Sequence, residues 1–127
     1  MTVKKVPGSL RKWFFVHFIV DYLFGIPLLF FPRFILSLFN WPYFDPLLSR
    51  LVGAALIGIG SVSFIEQKSN FETYQSLLIF KIIWSASALT GILLMMIHGA
   101  PKAGWIFFAI FAVFNAVWMY YVKYFCR

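Results

Sequence analysis

Two ionisable residues, His17 and Asp21, stand four positions apart in an otherwise apolar stretch, so on a helix they share one side. An imidazole beside a carboxylate is a pair that can exchange a proton near neutral pH. Gly25 continues the same stripe. Lys81 lies within a second apolar stretch and shares a helical side with Trp84 and Ser85. Asn115 and Trp118 share a side of a third stretch, and Ser61 adds a hydroxyl to a fourth. On that fourth stretch Arg50, Ala54, Gly58 and Ser61 read as one face, whose small residues would admit a neighbouring backbone.

These residues matter because of what surrounds them. Of the 127 residues, 62% are hydrophobic, 22% aromatic and 12% charged. A soluble domain carries roughly 25% charged residues, so this polar inventory is too small to coat a globular surface. A bilayer core about 30 Å thick needs about 20 apolar residues in a helix. Four stretches meet that requirement: Trp13–Phe31, Leu47–Ile65, Leu77–Ile97 and Ala103–Val122. Between them lie Pro32 to Pro46, Glu66 to Ser76 and His98 to Lys102. The expected fold is all-α, an integral membrane antiparallel four-helix bundle forming one domain over residues 1–127. The first stretch contains Asp21 and runs into Phe31-Pro32-Arg33 rather than a small-residue cleavage site, which favours a retained helix over a signal peptide. Pro27 is expected to kink that helix.

The net charge of +7 does not point to nucleic acid, because the charges sit at the ends of the spans. Lys4, Lys5, Arg11, Lys12, Lys68, Lys123 and Arg127 collect on one side, against Arg33, Arg50 and Lys102 on the other. Seven against three places both termini in the cytoplasm of a multi-pass cell-membrane protein. Trp13, Tyr120, Tyr121 and Tyr124 mark the inner surface, and Trp41, Tyr43 and Trp105 the outer one. Anionic headgroups are natural contacts of the basic ends.

At a rise of about 1.5 Å per residue, His17 lies about 8 Å, Asp21 about 14 Å, Ser61 about 8 Å, Lys81 about 10 Å and Asn115 about 12 Å in from the cytoplasmic side. Four helices thus bring a polar group to a similar level. The expectation is a polar intramembrane cluster of His17, Asp21, Ser61, Lys81, Ser85 and Asn115, with Asp21 and Lys81 as its ion pair. The same pair has three readings: a structural charge pair fixing helix register, a site for a ligand, ion or proton, or an interface with another subunit. Arg50, near the outer end of its helix, either snorkels to the surface or contacts an anion. Glu66 reads as solvated, and His98 opens a loop with no second ligand spaced for a metal. Cys126, the single cysteine, forms no internal disulfide; it is a passive residue or an acylation site beside the membrane.

Neither hydrolase, metalloprotease, Walker A nor dinucleotide motifs occur. No catalytic residue, metal or cofactor is therefore expected, and an acid–base site on Asp21 and His17 is the one enzymatic form open. The segment Arg50-Leu51-Val52-Gly53-Ala54-Ala55-Leu56-Ile57-Gly58, after a Pro-rich outer loop, resembles the small four-helix membrane proteins grouped as DoxX-like. The resemblance extends to chain length and four-span layout. It implies a four-helix bundle and, for some members, an accessory role beside membrane redox complexes.

With short loops and little mass outside the membrane, the chain is expected to be a non-catalytic accessory subunit or scaffold, packing against a partner membrane protein or its own copies. The alternatives are a small oligomeric transporter or channel using the polar cluster, and a binder of lipid- or quinone-type molecules between the first helix and Trp84.

Overall fold

Every regular element in the computed structural model, which describes residues 5–125, is an α-helix. Lys4, Cys126 and Arg127 lie outside the described residues. The helices are α1 (Gly8–Phe30), α2 (Pro32–Leu38), α3 (Pro46–Ile65), α4 (Phe71–Ile97) and α5 (Gly104–Phe125). All but α2 are long and apolar enough to cross a membrane, which makes the chain a multi-pass membrane protein.

Local chemistry explains where the helices start and stop. Asp45 caps α3, its Oδ1 accepting from the Leu48 amide at 2.9 Å, and Pro46 follows at the first helical position, where no amide hydrogen is needed. Asn70 caps α4 in the same way through the Thr73 amide, at 2.9 Å. This cap lies before the apolar window, so α4 begins at Phe71 rather than Leu77. Likewise α1 begins at Gly8 rather than Trp13. At its other end α4 closes with Gly99 at φ +89°, the Gly99 amide bonding to Met96 O and the Ala100 amide to Met95 O. That is the paired closure of a Schellman motif, whose left-handed residue suits glycine.

Between α1 and α3 the sequence predicts only a connection, whereas the chain forms α2. Pro32 reads as a breaker, yet it occupies the first position of a helix, where a fixed φ and a missing N–H cost nothing. Asn40, at φ 53°, ends α2 as Gly99 ends α4: the Asn40 amide bonds to Ser37 O and the Trp41 amide to Leu36 O. Pro27 lies inside α1, which continues through it to Phe30.

The chain divides into two compact units, Val6–Ser69 with α1, α2 and α3, and a second containing α4 and α5. On each long helix a single stripe is buried: Leu10, Phe14, His17, Asp21 and Gly25 on α1, and Gly53, Leu56, Gly60 and Ser63 on α3. The stripe on α4 is Tyr74, Leu78, Lys81 and Ser85, and on α5 it is Phe114, Trp118 and Tyr121. Three- and four-residue spacing of this kind is one helical face. Around it large apolar side chains such as Leu23, Phe30, Leu51, Ile83 and Val113 remain exposed, which suits helices that cross a membrane.

In the first unit α1 and α3 pack backbone to backbone. A Cβ placed on Gly53 would lie 2.7 Å from Gly25 O and 2.7 Å from Leu29 N. One on Gly60 would lie 2.9 Å from Asp21 Cβ. The small-residue face of α3 is therefore Gly53 and Gly60, and not the Arg50–Ala54–Gly58–Ser61 face read from the sequence. Arg50, Ala54 and Gly58 are exposed, and a Cβ on Gly58 would meet nothing within 4 Å. The two faces differ by one residue, about 100° around the helix, and small side chains occur on both.

Candidate functional site

In the first unit, the packing of α1 on α3 places the acidic residue. Gly60 leaves room for the stem of Asp21, and one turn earlier His17 brings Nε2 to 3.3 Å from Asp21 Oδ2. Both residues are buried, at 3% exposure for His17 and 5% for Asp21. Four-residue spacing on a helix makes this contact, so the pair is legible in the sequence. Beside it Tyr22 OH and Ser61 Oγ lie 2.5 Å apart, joining α1 to α3 through two hydroxyls. Ser63 Oγ donates to Ile59 O at 3.0 Å within its own helix.

Towards the start of α1, Arg11 makes a second polar junction. Its Nη1 donates to Gln67 O at 2.6 Å and its Nη2 to Ser69 O at 3.1 Å, while Gln67 Nε2 donates to Arg11 O at 3.4 Å. The guanidinium fork thus satisfies carbonyls just beyond the C-terminus of α3, where a positive charge also meets the favourable end of the helix dipole. Ser69 Oγ donates to the Glu66 carboxylate in the same turn.

In the second unit the polar residues form a chain from helix to helix. Asn115 Nδ2 on α5 donates to Ser85 Oγ on α4 at 2.9 Å, with a longer contact of 3.5 Å to Ile82 O. Ser85 Oγ in turn donates to Lys81 O at 2.7 Å. Lys81, at 2% exposure, holds its Nζ 5.1 Å from the centre of the Trp118 ring, the geometry of a cation–π contact. Phe114 stacks on Trp118, the ring centres 5.7 Å apart and the planes tilted by 15°. Trp84 meets Phe111 edge-on at 6.3 Å, and its buried Nε1–H has no acceptor among the described residues.

No known protein family, curated protein or solved structure matches this chain.

The six residues that the sequence led us to expect in one cluster are placed as follows. The structure brings His17 to Asp21, Ser61 to Tyr22, and Lys81, Ser85 and Asn115 into one hydrogen-bonded run. Arg50 is exposed one turn into α3, while Arg33 rests its guanidinium 4.5 Å from the centre of the Phe44 ring. Among the described residues no three of His, Cys, Asp and Glu come together as ligands for an ion. Sequence reasoning missed Tyr22 as the partner of Ser61 and missed the Arg11 junction. The first had a signal, a hydroxyl next to Asp21 on a span. The second had none, because its acceptors are backbone carbonyls.

What this arrangement does chemically is fix helices against each other. A hydroxyl or amide in hydrocarbon costs several kcal/mol unless it finds a partner. Ser61, Ser85 and Asn115 find theirs on the adjacent helix or turn.

Proposed function

We propose that the chain is a non-catalytic membrane subunit or scaffold that packs its outer helix faces against the helices of a partner membrane protein. The observation that carries this reading is the inward use of the polar groups. Asn115 closes on Ser85, Tyr22 on Ser61 and Arg11 on the end of α3, so each helix pair is stapled internally and presents apolar side chains outward. The DoxX-like resemblance of Arg50–Gly58 accords with an accessory role. Purification in a gentle detergent, with mass spectrometry of stoichiometric companions, tests it: a defined partner is expected, and a stable solitary monomer sinks the idea.

The finer arrangement belongs to the same proposal: an antiparallel four-helix bundle in the cell membrane with both termini cytoplasmic. It rests on the distribution of lysine and arginine. In a Cys126→Ser background, a cysteine at Lys102 reacts with an impermeant maleimide in intact cells, and one at Lys68 only after permeabilisation. The reverse pattern turns the chain over.

A second reading, a small oligomeric transporter or channel, is favoured by the burial of Asp21 and Lys81 on spans, where charges concentrate along ion and proton paths. It requires that Asp21→Asn and Lys81→Met abolish flux while insertion stays normal. The pairing of Asp21 with Lys81 rests on their opposite charge, and a double-mutant cycle tests it. A pair makes each single change cost about 3–5 kcal/mol and the double change clearly less than the sum.

A further inference from the structure

We infer that α2 is an interfacial anchor, lying along the outer surface of the bilayer with one face dipped among the phospholipid acyl chains. The inference starts from three faces presented by α2 and the residues that flank it. Pro32 and Ile35 are buried and Leu36 and Phe39 half-buried, with Phe39 packed on Phe24 of α1 at 6.2 Å between ring centres. Phe31, Phe34 and Leu38 are exposed, at 64%, 63% and 64%. Arg33, Ser37 and Asn40 are exposed and polar. At about 100° per residue the centres of these faces lie about 120° apart.

A helix wholly in water does not gain from showing two Phe and a Leu, and a helix wholly in hydrocarbon does not gain from showing Arg, Ser and Asn. One lying at the boundary satisfies all three faces: protein on one, acyl chains on the second, headgroups and water on the third. The occupant of the apolar face is lipid because its exposed Phe and Leu stand in the chain between the ends of two spans, at the level where headgroups meet acyl chains. Phe30 at the end of α1 and Leu47, Leu48 and Leu51 at the start of α3 are all exposed. Trp41 and Tyr43, side chains that favour the headgroup level, follow directly. The two hydrogen bonds donated by the Asn40 and Trp41 amides close α2 as a helix rather than a loose turn.

The test is made in phosphatidylcholine–phosphatidylglycerol vesicles. Nitroxide labels are placed singly at Phe34→Cys, Leu38→Cys and Ser37→Cys in a Cys126→Ser background. Labels at 34 and 38 are expected to show an oxygen-to-nickel-chelate collision ratio several-fold above that at 37. Equal ratios at all three sites place the helix wholly in water if low or wholly in hydrocarbon if high, and overturn the inference either way. Labels at 34 and 38 shielded from both reagents mean that protein covers the face, and overturn it equally. The unaltered chain gives an independent reading with a phospholipid carrying a diazirine in its acyl chain. Adducts are expected on Phe31, Phe34 or Leu38 and not on Ser37, and their absence counts against the anchor whatever the labelled variants do.

Discussion

Asn115 and Trp84 face the same physical problem with opposite outcomes. Each carries an N–H donor within a membrane-spanning helix. Asn115 delivers its donor to Ser85 Oγ on the neighbouring helix, whereas the Trp84 indole N–H is buried with no acceptor among the described residues. Interhelical hydrogen bonds in bilayers average about 0.6 kcal/mol, so Asn115→Ala is expected to lower the stability of the α4–α5 pair by about 0.5–1.5 kcal/mol, read by denaturant titration in micelles. Trp84→Phe removes a donor that already goes unmatched and retains a ring against Phe111, so it is expected to be neutral within about 1 kcal/mol. If Trp84→Phe proves the costlier change, the indole N–H has an acceptor in the membrane. Residue types and spacing made His17, Asp21, Lys81, Ser85 and Asn115 visible in the sequence, because an ionisable or amide group stands out in an apolar run. Beyond the His17–Asp21 pair they did not reveal which neighbour each would choose, since a hydroxyl such as Ser85 serves as well as any other acceptor.

At the scale of the element, α1 and α3 are held by the absence of side chains. With Gly53 pressed on Gly25 and the backbone of Leu29, any Cβ there meets atoms that cannot rotate away. Gly53→Leu is expected to cost at least about 3 kcal/mol, since overpacking of even a methylene or two costs about 1–3. Gly58→Leu, five residues on, fills open space and is expected to leave stability unchanged within about 0.5 kcal/mol. Unfolding curves of the two variants side by side check the contrast, and comparable losses would remove Gly53 from the contact. The four long helices were readable because twenty apolar residues have few other fates. Their ends were not, because α4 starts at the Asn70 cap and α1 at Gly8 after Pro7, both outside the apolar windows. The face of α3 was misread for a related reason. Small residues at 54 and 58 mimic those at 53 and 60, and only the partner helix distinguishes them. The seven-residue α2 escaped notice because Pro32 carries opposite meanings inside a helix and at its first position.

Across the whole molecule, one long-range polar link stands out in the first unit, the Arg11 fork on Gln67 O and Ser69 O across separations of 56 and 58 residues. Two charge-assisted bonds of this kind are worth about 1.5–3 kcal/mol each before solvent screening, and Arg11 is half-buried, so the net loss expected for Arg11→Ala is about 1–2 kcal/mol. Arg11→Lys should restore little, because an ammonium cannot present two parallel donors to two carbonyls. Full rescue by lysine, measured by thermal unfolding in detergent, would reduce the junction to a simple charge effect.

The acceptors of that fork end at Ser69, one residue before the Asn70 cap that starts α4. The fork therefore becomes available as soon as the chain has been made that far. Everything it closes, including α1, α2, α3 and the Gly25–Gly53 crossing, belongs to the continuous stretch Val6–Ser69. Synthesis proceeds at about 5–20 residues per second and N-terminal units assemble first. The stretch Val6–Ser69 can thus be latched shut in the membrane some seconds before α5 leaves the ribosome.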